Sequence, residues 1–130
     1  MTLYHFTCGH GKADIGTGPR ALLLPHRHPL LGTNVKLVWF TTLPEPEEEE
    51  VGLTSRPDIK CDRREYRYVI DNGVADGCRW WMECDERAAA PAAVVETLES
   101  FGKPETWWVS SAPIRARFDR SYRHRLEGLD

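Results

Sequence analysis

Short runs of apolar and aromatic residues recur along the chain, and their pattern predicts strands more often than helices. Two runs combine β-branched and aromatic side chains, which favour strands, namely Leu3 to Thr7 and Val35 to Thr42. The second run is apolar at successive positions, a pattern typical of a strand that is covered on both faces. We therefore expect Val35 to Thr42 to lie in the centre of a sheet.

A hairpin is predicted in the middle of the chain. The run from Glu65 to Asp71 alternates at first and then reaches Asn72-Gly73, which is a turn signal. The partner strand of this hairpin is expected at Arg79 to Glu83. Two later strands are predicted, one within Pro104 to Ile114 and one that starts near Arg115 and continues into a terminal helix or tail.

One helix is indicated clearly, and a second one weakly. After Asp85 the composition changes to Ala, Glu, Val and Leu, and Gly102 supplies a stop signal. Four apolar residues fall at helical spacing in this segment: Val94, Val95, Leu98 and Phe101. One or two helical turns broken by glycine are expected within Gly9 to Gly18.

Two segments are predicted to be loops. Ala21 to Leu24 is apolar but is followed by Pro25-His26-Arg27-His28-Pro29, and the prolines oppose a continuing regular element. We expect a loop that is anchored by its leucines. Glu47 to Glu50 are four consecutive carboxylates, which repel one another and favour a solvated loop or a short helix start over a cation site.

These elements add up to an α+β fold with several short strands and about two helices. A length of 130 residues fits one domain, residues 1–130, with one buried core. The 17 Lys and Arg residues against 20 Asp and Glu residues give a net charge of -3. This charge is too small for the overall field to attract a nucleic acid or a membrane, so such a partner needs a local patch.

The sequence predicts a cytoplasmic protein with no membrane partner. No window approaches the roughly 18 consecutive apolar residues of a membrane span, and no basic segment followed by an apolar run opens the chain. Without a secretion signal, we expect reduced and mostly buried thiols rather than disulfides. The cysteines are Cys8, Cys61, Cys78 and Cys84.

Three residue types in a fixed chain order carry the candidate chemistry. They are His5 in the first strand, an aromatic residue in Val38-Trp39-Phe40-Thr41-Thr42, and Glu105 at the head of Glu105-Thr106-Trp107-Trp108-Val109. This order resembles the ADP-ribosyltransferase fold, where the poly(ADP-ribose) polymerase and diphtheria-toxin branch uses a His, an aromatic residue and a Glu. The tRNA 2'-phosphotransferases are relatives with a similar strand layout. The opening Leu3 to Thr7 also resembles small uncharacterised proteins of actinobacteria and their phages.

The resemblance implies split antiparallel β-sheets and an NAD site. It implies that His5 binds a ribose hydroxyl, that Phe6 and Thr7 follow it along the NAD site, and that the Phe6 backbone holds the nicotinamide amide. Either Trp39 or Phe40 is expected to stack on nicotinamide, because the strand register is not fixed by the sequence. Glu105 is expected to stabilise the cationic transition state as the glycosidic bond breaks. NAD is then a substrate, and ADP-ribose passes to an unknown acceptor that is a protein, a nucleic acid or a small molecule.

The same residues also fit other interpretations. His5 fits a core histidine bonded to a backbone carbonyl, the aromatic residues fit ordinary core, and Glu105 fits a strand-edge carboxylate. The polymerases usually have Gly where Phe6 stands and Tyr where Trp39 or Phe40 stands. These departures motivate the alternative function, a non-catalytic module or phage-type regulator on the same fold that binds a nucleotide, a nucleic acid or a protein.

Two further groups of residues have side chains that bind metals or phosphates. The first group consists of two close pairs of zinc-ligand type, Cys8 with His10 and His26 with His28. Their spacing is unusual for a structural zinc site, so no metal is assigned. Two arginine groups could bind phosphate through forked hydrogen bonds, with ordinary surface ion pairs as the alternative. They are Arg63 and Arg64, and Arg115, Arg117, Arg120, Arg123 and Arg125.

Overall fold

A computed structural model of the chain describes residues 1–7, 20–32, 34–46, 66–100 and 102–121. Within these ranges it contains short strands, two α-helices and two single 3₁₀ turns. The strands are β1 (Leu3–Thr7), β2 (Arg20–Leu23), β3 (His26–Arg27), β4 (Lys36–Thr41), β5 (Tyr66–Ile70), β6 (Arg79–Trp80), β7 (Trp107–Ser110) and β8 (Ile114–Ser121). The helices are α1 (Asp85–Ala89) and α2 (Ala92–Glu99), and the 3₁₀ turns are Trp81–Glu83 and Pro104–Thr106.

The strands form one sheet in the order β2-β8-β5-β1-β4-β7-β6, and β3 pairs with β4 beside this path. Every pairing between described strands is antiparallel. The expected class, α+β with antiparallel strands and about two helices, is confirmed at this level, but the described strands form one sheet and not the split sheets that the resemblance implies. Most neighbouring strands are far apart in the chain, so the sheet depends on long-range contacts.

The sheet curls so that one of its faces is concave. Strand β2 lies at one end of the sheet, but only Leu24 and Pro25 separate it from β3, which pairs with β4. Because this connection is so short, the sheet has to bend between β2 and β4, and side chains from both strands belong to a single buried cluster. We call the face that carries this cluster the concave face; its buried residues are Leu3, Ala21, Leu23, Val38, Phe40, Tyr68, Ile70, Cys78, Ile114 and Ala116.

The helices cover the opposite face of β4 and β7, which we call the helix face. Its buried cluster is Leu37, Trp81, Cys84, Leu98, Trp107 and Val109. Successive residues of β4 alternate between the two clusters, since Leu37 belongs to the second and Val38 to the first. The prediction of a central strand covered on both sides is therefore confirmed for β4.

A partly buried carboxylate ties the two helices to the helix face. The Trp81 Nε1–H donates a hydrogen bond to Glu99 Oε1 over 3.1 Å, and Arg87 Nε donates to the same oxygen over 2.6 Å. Trp81 is fully buried, so its indole N–H requires an acceptor. Glu99 thus joins α2 to α1 and to the first 3₁₀ turn.

The loop predicted for Ala21 to Pro29 is wrong, because the structure places β2 and β3 there. Ala21 and Leu23 are buried on the concave face, while Leu22 between them is exposed. This alternation of period two is the strand pattern. Pro25 does not prevent either strand, because it lies between them, where no ladder N–H is needed.

The hairpin predicted between β5 and β6 is also wrong. Strand β5 lies between β1 and β8, whereas β6 pairs with β7. A turn does follow Asn72, where the Cys78 N–H donates to the Gly73 carbonyl over 2.8 Å and Gly77 adopts a φ of 102°. The turn redirects the chain to the other end of the sheet instead of folding it back on β5.

The remaining elements agree with their predictions apart from their boundaries. Helix α2 and strands β5, β7 and β8 form where they were expected, but Pro91 separates α1 from α2. Glu105 does not open a strand: it lies in the 3₁₀ turn before Trp107, and Pro104 at the start of this turn has no amide N–H for a ladder.

Several predictions fall outside the described residues. These are the helix within Gly9 to Gly18, the acidic run Glu47 to Glu50, the contribution of Phe101 to its helix, and the tail beyond Ser121. In the described part of the chain, none of the helices has the length and apolar character needed to cross a bilayer.

Candidate functional site

His5 is fixed at the junction between β1 and β4. The two strands pair at Tyr4 and Thr41, and the His5 ring binds the Trp39 carbonyl with an Nδ1 to oxygen distance of 2.7 Å. A carbonyl oxygen only accepts, so Nδ1 carries the proton and donates it. Nε2 then holds the lone pair and is the atom through which this ring accepts a hydrogen bond from a ligand.

The surroundings of His5 favour its neutral ring. Burial lowers the pKa of His5, a hydrogen bond to the Trp39 carbonyl opposes this effect, and the charge of His26 lowers the pKa further. The net direction is downward from the usual 6.5. A neutral imidazole with its proton on Nδ1 suits acceptance of a hydroxyl proton at Nε2, and it does not repel a cationic ligand.

The register of β4 separates the two candidate stacking residues. Phe40 pairs with Trp108 and contacts the His5 ring at 5.8 Å between centroids, so it lies on the concave face. Trp39 lies on the helix face, where its ring is 4.9 Å from that of Trp81. The structure therefore brings His5 and Phe40 together and places the Trp39 side chain on the other side of the sheet. Phe40 is only 3% exposed, so little of its ring can meet a ligand.

The two residues after His5 are both buried. Phe6 pairs with Arg67 and lies, by strand alternation, on the face opposite to His5. Thr7 returns to the face of His5 and is 7% exposed. In the described structure these residues are parts of strand β1, and a ligand can meet Phe6 only through its backbone.

Glu105 lies in the turn before β7, the strand that pairs with β4 on the side away from β1. Its carbonyl accepts a hydrogen bond from Trp80 Nε1 over 3.0 Å, and the next carbonyl, of Thr106, accepts from the Thr42 N–H over 3.0 Å. The backbone is thus held from β6 and from the end of β4, while the side chain is exposed. Glu105 precedes Trp108, the β7 residue level with Phe40, by three residues, and it lies in the 3₁₀ turn before β7 rather than in the strand.

A row of aromatic rings crosses the concave face and passes through His5. Direct strand pairing joins Trp80 to Trp108, Trp108 to Phe40, His5 to Tyr68 and Tyr68 to Phe118, and ring contact joins Phe40 to His5. The row contains six rings from six neighbouring strands: Trp80, Trp108, Phe40, His5, Tyr68 and Phe118. Its middle is largely buried, since Phe40 and Tyr68 are almost inaccessible, but its two indoles are partly exposed.

Sequence reasoning missed this row. Each ring-bearing strand was recognisable by itself, but membership of the row depends on register and on neighbours that are distant in the chain. The indoles are the clearest example, because Trp80 was assigned to a strand paired with β5. No local signal identifies their true pairing.

Only two of the four residues of zinc-ligand type, His26 and His28, lie within the described residues. Cys8 and His10 lie outside them. His26 is exposed on β3, and His28 Nδ1 accepts the Leu30 N–H over 3.2 Å while its ring contacts Trp39. Among the described residues, no group of three or more His, Cys, Asp or Glu side chains is arranged to hold a metal ion.

Arg117, from the second predicted arginine group, and Arg67 on the neighbouring strand form ion pairs with carboxylates rather than an open basic patch. Arg67 is paired with Asp119, donates to the Pro44 carbonyl over 2.7 Å, and lies 5.1 Å from the centroid of the Tyr4 ring. Arg117 is 3.3 Å from a carboxylate oxygen of Asp71. These contacts favour the interpretation as surface ion pairs at these positions.

The remaining arginines of the two predicted groups lie mostly outside the described residues. Arg115 is exposed. Arg63, Arg64, Arg123 and Arg125 lie outside the described residues, as does any side-chain geometry of Arg120.

Cys78 and Cys84 are free thiols and both are buried. Burial is the main cause that raises the pKa of Cys78, to about 12, and the nearby charge of Asp76 raises it further. The prediction of reduced, buried cysteines is confirmed for these two, and Cys8 and Cys61 lie outside the described residues. A thiol with so high a pKa is a poor nucleophile.

No family model, no curated protein and no solved structure matches this chain. The function therefore has to be argued from the geometry of the site.

Proposed function

We propose that this chain is an ADP-ribosyltransferase-like protein that binds NAD on its concave face, transfers ADP-ribose to an acceptor and releases nicotinamide. The observation that carries the proposal is the adjacency of β1, β4 and β7 in the sheet. Strand β1 bears His5, β4 bears Phe40, and β7 follows the turn that contains Glu105. Residues that are far apart in the sequence are thus held on neighbouring elements, as an assembled active site requires.

The state of His5 supports a role in ribose binding. Its Nδ1–H is committed to the Trp39 carbonyl, which fixes the ring and leaves Nε2 as an acceptor. A fixed acceptor loses little conformational entropy when a ribose hydroxyl donates to it. In the proposed complex His5 therefore orients the sugar, and it has no need to take up a proton.

The state of Glu105 supports a role in the chemical step. When the bond between nicotinamide and C1' of the ribose breaks, the bonding electron pair leaves with nicotinamide and the sugar becomes oxocarbenium-like. A carboxylate stabilises this positive charge, and an acceptor nucleophile then attacks C1'. Glu105 is exposed on a backbone that is held from two sides, and no described cation forms an ion pair with it.

Nicotinamide release tests the proposal directly. Purified protein is incubated with NAD, and free nicotinamide is followed by NMR with water as the default acceptor and with added protein, RNA and DNA. Glu105→Gln should reduce release by about 100-fold, the scale typical for loss of one transition-state electrostatic contact. Glu96→Gln changes an exposed carboxylate on α2 and should leave release unchanged. Release that Glu105→Gln does not alter would contradict the mechanism.

A non-catalytic binding module is the second candidate, and one observation favours it. His5 and Phe40 both have structural partners: the His5 ring bonds the main chain, and Phe40 belongs to the buried cluster of the concave face. If calorimetry detects NAD or ADP-ribose binding while no nicotinamide appears with any acceptor, the module is supported over the enzyme.

A further inference from the structure

We propose that the partly exposed indoles of Trp80 and Trp108 form a platform for a planar cationic ring, and that the oxidised nicotinamide ring of NAD is its occupant. The choice of NAD rests on the proposed function above. In this proposal the two indoles stack on nicotinamide, the role that the resemblance gives to Trp39 or Phe40. The platform therefore specifies which side chains contact the nicotinamide end of the ligand.

Neither sequence-predicted residue presents an accessible ring on the concave face, because Phe40 is buried there and the partly exposed Trp39 lies on the other face. Phe40 is 3% exposed within the concave cluster. Trp39 lies on the helix face and contacts Trp81 and Trp107, at 4.9 Å and 5.9 Å between centroids. A ligand ring that enters next to His5 therefore has to stack on another residue of the same row.

Trp80 and Trp108 are the accessible rings of that row next to Phe40. They are directly opposite each other across β6 and β7, and Trp108 is in turn opposite Phe40. Side chains in such positions share a face and have Cβ atoms about 5 Å apart. Both indoles are only partly buried. Together they extend the row from His5 toward the end of the sheet.

The platform is held in place before any ligand binds. Trp80 Nε1–H donates to the Glu105 carbonyl over 3.0 Å, which fixes the rotation of this indole. Trp108 packs against the buried cluster of the concave face. Rigid aromatic surfaces bind with a small entropic cost, so the arrangement favours ring recognition over a purely structural contact.

The charge distribution favours a cationic ring over a neutral one. The face of an indole attracts cations more strongly than the faces of the other aromatic side chains. The hydrogen bond to Trp80 places this indole against the turn that carries the exposed Glu105 carboxylate, which has no ion-pair partner among the described residues. Oxidised nicotinamide is planar and positively charged, and it matches both features.

The test compares ligands that differ only in the ring. Dissociation constants for NAD, for its reduced form and for ADP-ribose are measured by calorimetry with the wild-type chain, Trp80→Leu, Trp108→Leu and Phe118→Leu. The last variant removes a partly exposed ring at the far end of the row and is the matched control. Thermal melts of each variant identify any loss of folding, and Trp108→Tyr retains a ring where Trp108→Leu fails to fold.

We expect the wild-type chain to bind NAD about tenfold more tightly than ADP-ribose or reduced NAD, the scale of one stacked ring. In Trp80→Leu and Trp108→Leu this advantage should disappear while the affinity for ADP-ribose stays the same. Phe118→Leu should keep the advantage. An advantage for NAD that persists in both tryptophan variants overturns the platform but leaves the proposed function standing.

A second probe separates the platform from NAD binding as a whole. The 1-methylnicotinamide cation carries the ring and its charge without the nucleotide, and neutral nicotinamide is its control. Calorimetric binding of the cation that is lost in Trp108→Leu and kept in Phe118→Leu supports the platform, whereas binding of the cation without any binding of NAD overturns NAD as its occupant. If neither NAD nor the cation binds, the platform and the proposed function both fail.

Discussion

Because its surroundings lower the pKa of His5, mainly through desolvation, the stability of the fold should depend on pH, and His5→Phe should remove the contribution of His5 to that dependence. Phe retains a planar ring beside Phe40 and Tyr68 but cannot donate to the carbonyl, 2.7 Å from Nδ1 in the wild-type chain. A partly buried carbonyl that loses its donor costs about 1–2 kcal/mol of unfolding free energy. For a domain of this size, 1 kcal/mol corresponds to roughly 4 °C in Tm.

The direction of the pH effect follows from the lowered pKa of His5. Above the usual pKa of 6.5, both the folded and the unfolded chain hold a neutral ring, and the full stability is present. As the pH falls below this value, the unfolded chain binds a proton before the folded chain does. Stability is then lost at up to about 1.4 kcal/mol per pH unit until the folded pKa is reached.

Urea unfolding at pH 8, 6.5 and 5, followed by tryptophan fluorescence, measures the difference between the two proteins. His5→Phe should be less stable at pH 8 by about 1 kcal/mol, and the difference should shrink or change sign at pH 5. Other titrating groups cancel in this difference. A difference that is the same at pH 8 and pH 5 refutes a lowered pKa of His5 in the folded chain.

His26→Gln is the matched control for this experiment. His26 is exposed, so its replacement should change stability at pH 8 by less than about 0.5 kcal/mol. Because the charge of His26 helps to lower the pKa of His5, the variant should also lose less stability on acidification than the wild-type chain.

Three further changes test the packing of the two faces. Glu99→Ala leaves the buried Trp81 N–H without its acceptor and should cost about 2 kcal/mol in urea unfolding. Gly73→Ala should cost at least about 2 kcal/mol in the same assay, because the new Cβ lies 2.2 Å from Leu3 Cδ1. Cys78, with a pKa raised to about 12, should resist iodoacetamide at pH 8 until urea unfolds the chain, as followed by peptide mass spectrometry.

Matched variants separate these effects from general damage. Glu96→Ala removes an exposed carboxylate from the same helix as Glu99, and Asn72→Ala changes the exposed residue beside Gly73. Both should stay within about 0.5 kcal/mol of the wild-type chain. Equal losses in the test and control variants, or rapid alkylation of Cys78 in the folded chain, contradict the packing described for these residues.

The elements that the sequence predicted well are those whose signal is local. Strand β4 carries apolar residues for both faces within six positions, and α2 carries apolar residues at helical spacing after Pro91. Strand β2 was missed because Ala21 to Leu24 form one continuous apolar run in the sequence, although only Ala21 and Leu23 face the core. Short edge strands bounded by proline give a weak signal, since tertiary contacts rather than propensity hold them in place.

The chemical character of the site was easier to predict than its geometry. Residue type alone suggested that His5 bonds a backbone carbonyl or a ligand, and the structure shows the carbonyl bond. Which of Trp39 and Phe40 accompanies His5 depends on a register in which a shift of one residue exchanges the two faces. That register is set by the pairing of β4 with β7, which lies more than 60 residues further along the chain.

The misassigned hairpin and the missed indole pair have one physical cause. A hairpin of β5 and β6 would place Trp80 beside β5, because a tight turn pairs strands that are consecutive in the chain. The chain after Asn72 instead runs to the other end of the sheet, where Trp80 lies opposite Trp108. The hydrogen bond from Trp80 to the Glu105 carbonyl joins β6 to the turn before β7, a contact that a β5–β6 hairpin excludes. The local turn signal therefore predicts the wrong partner for β6 and misses the pairing that places the two indoles side by side on the concave face.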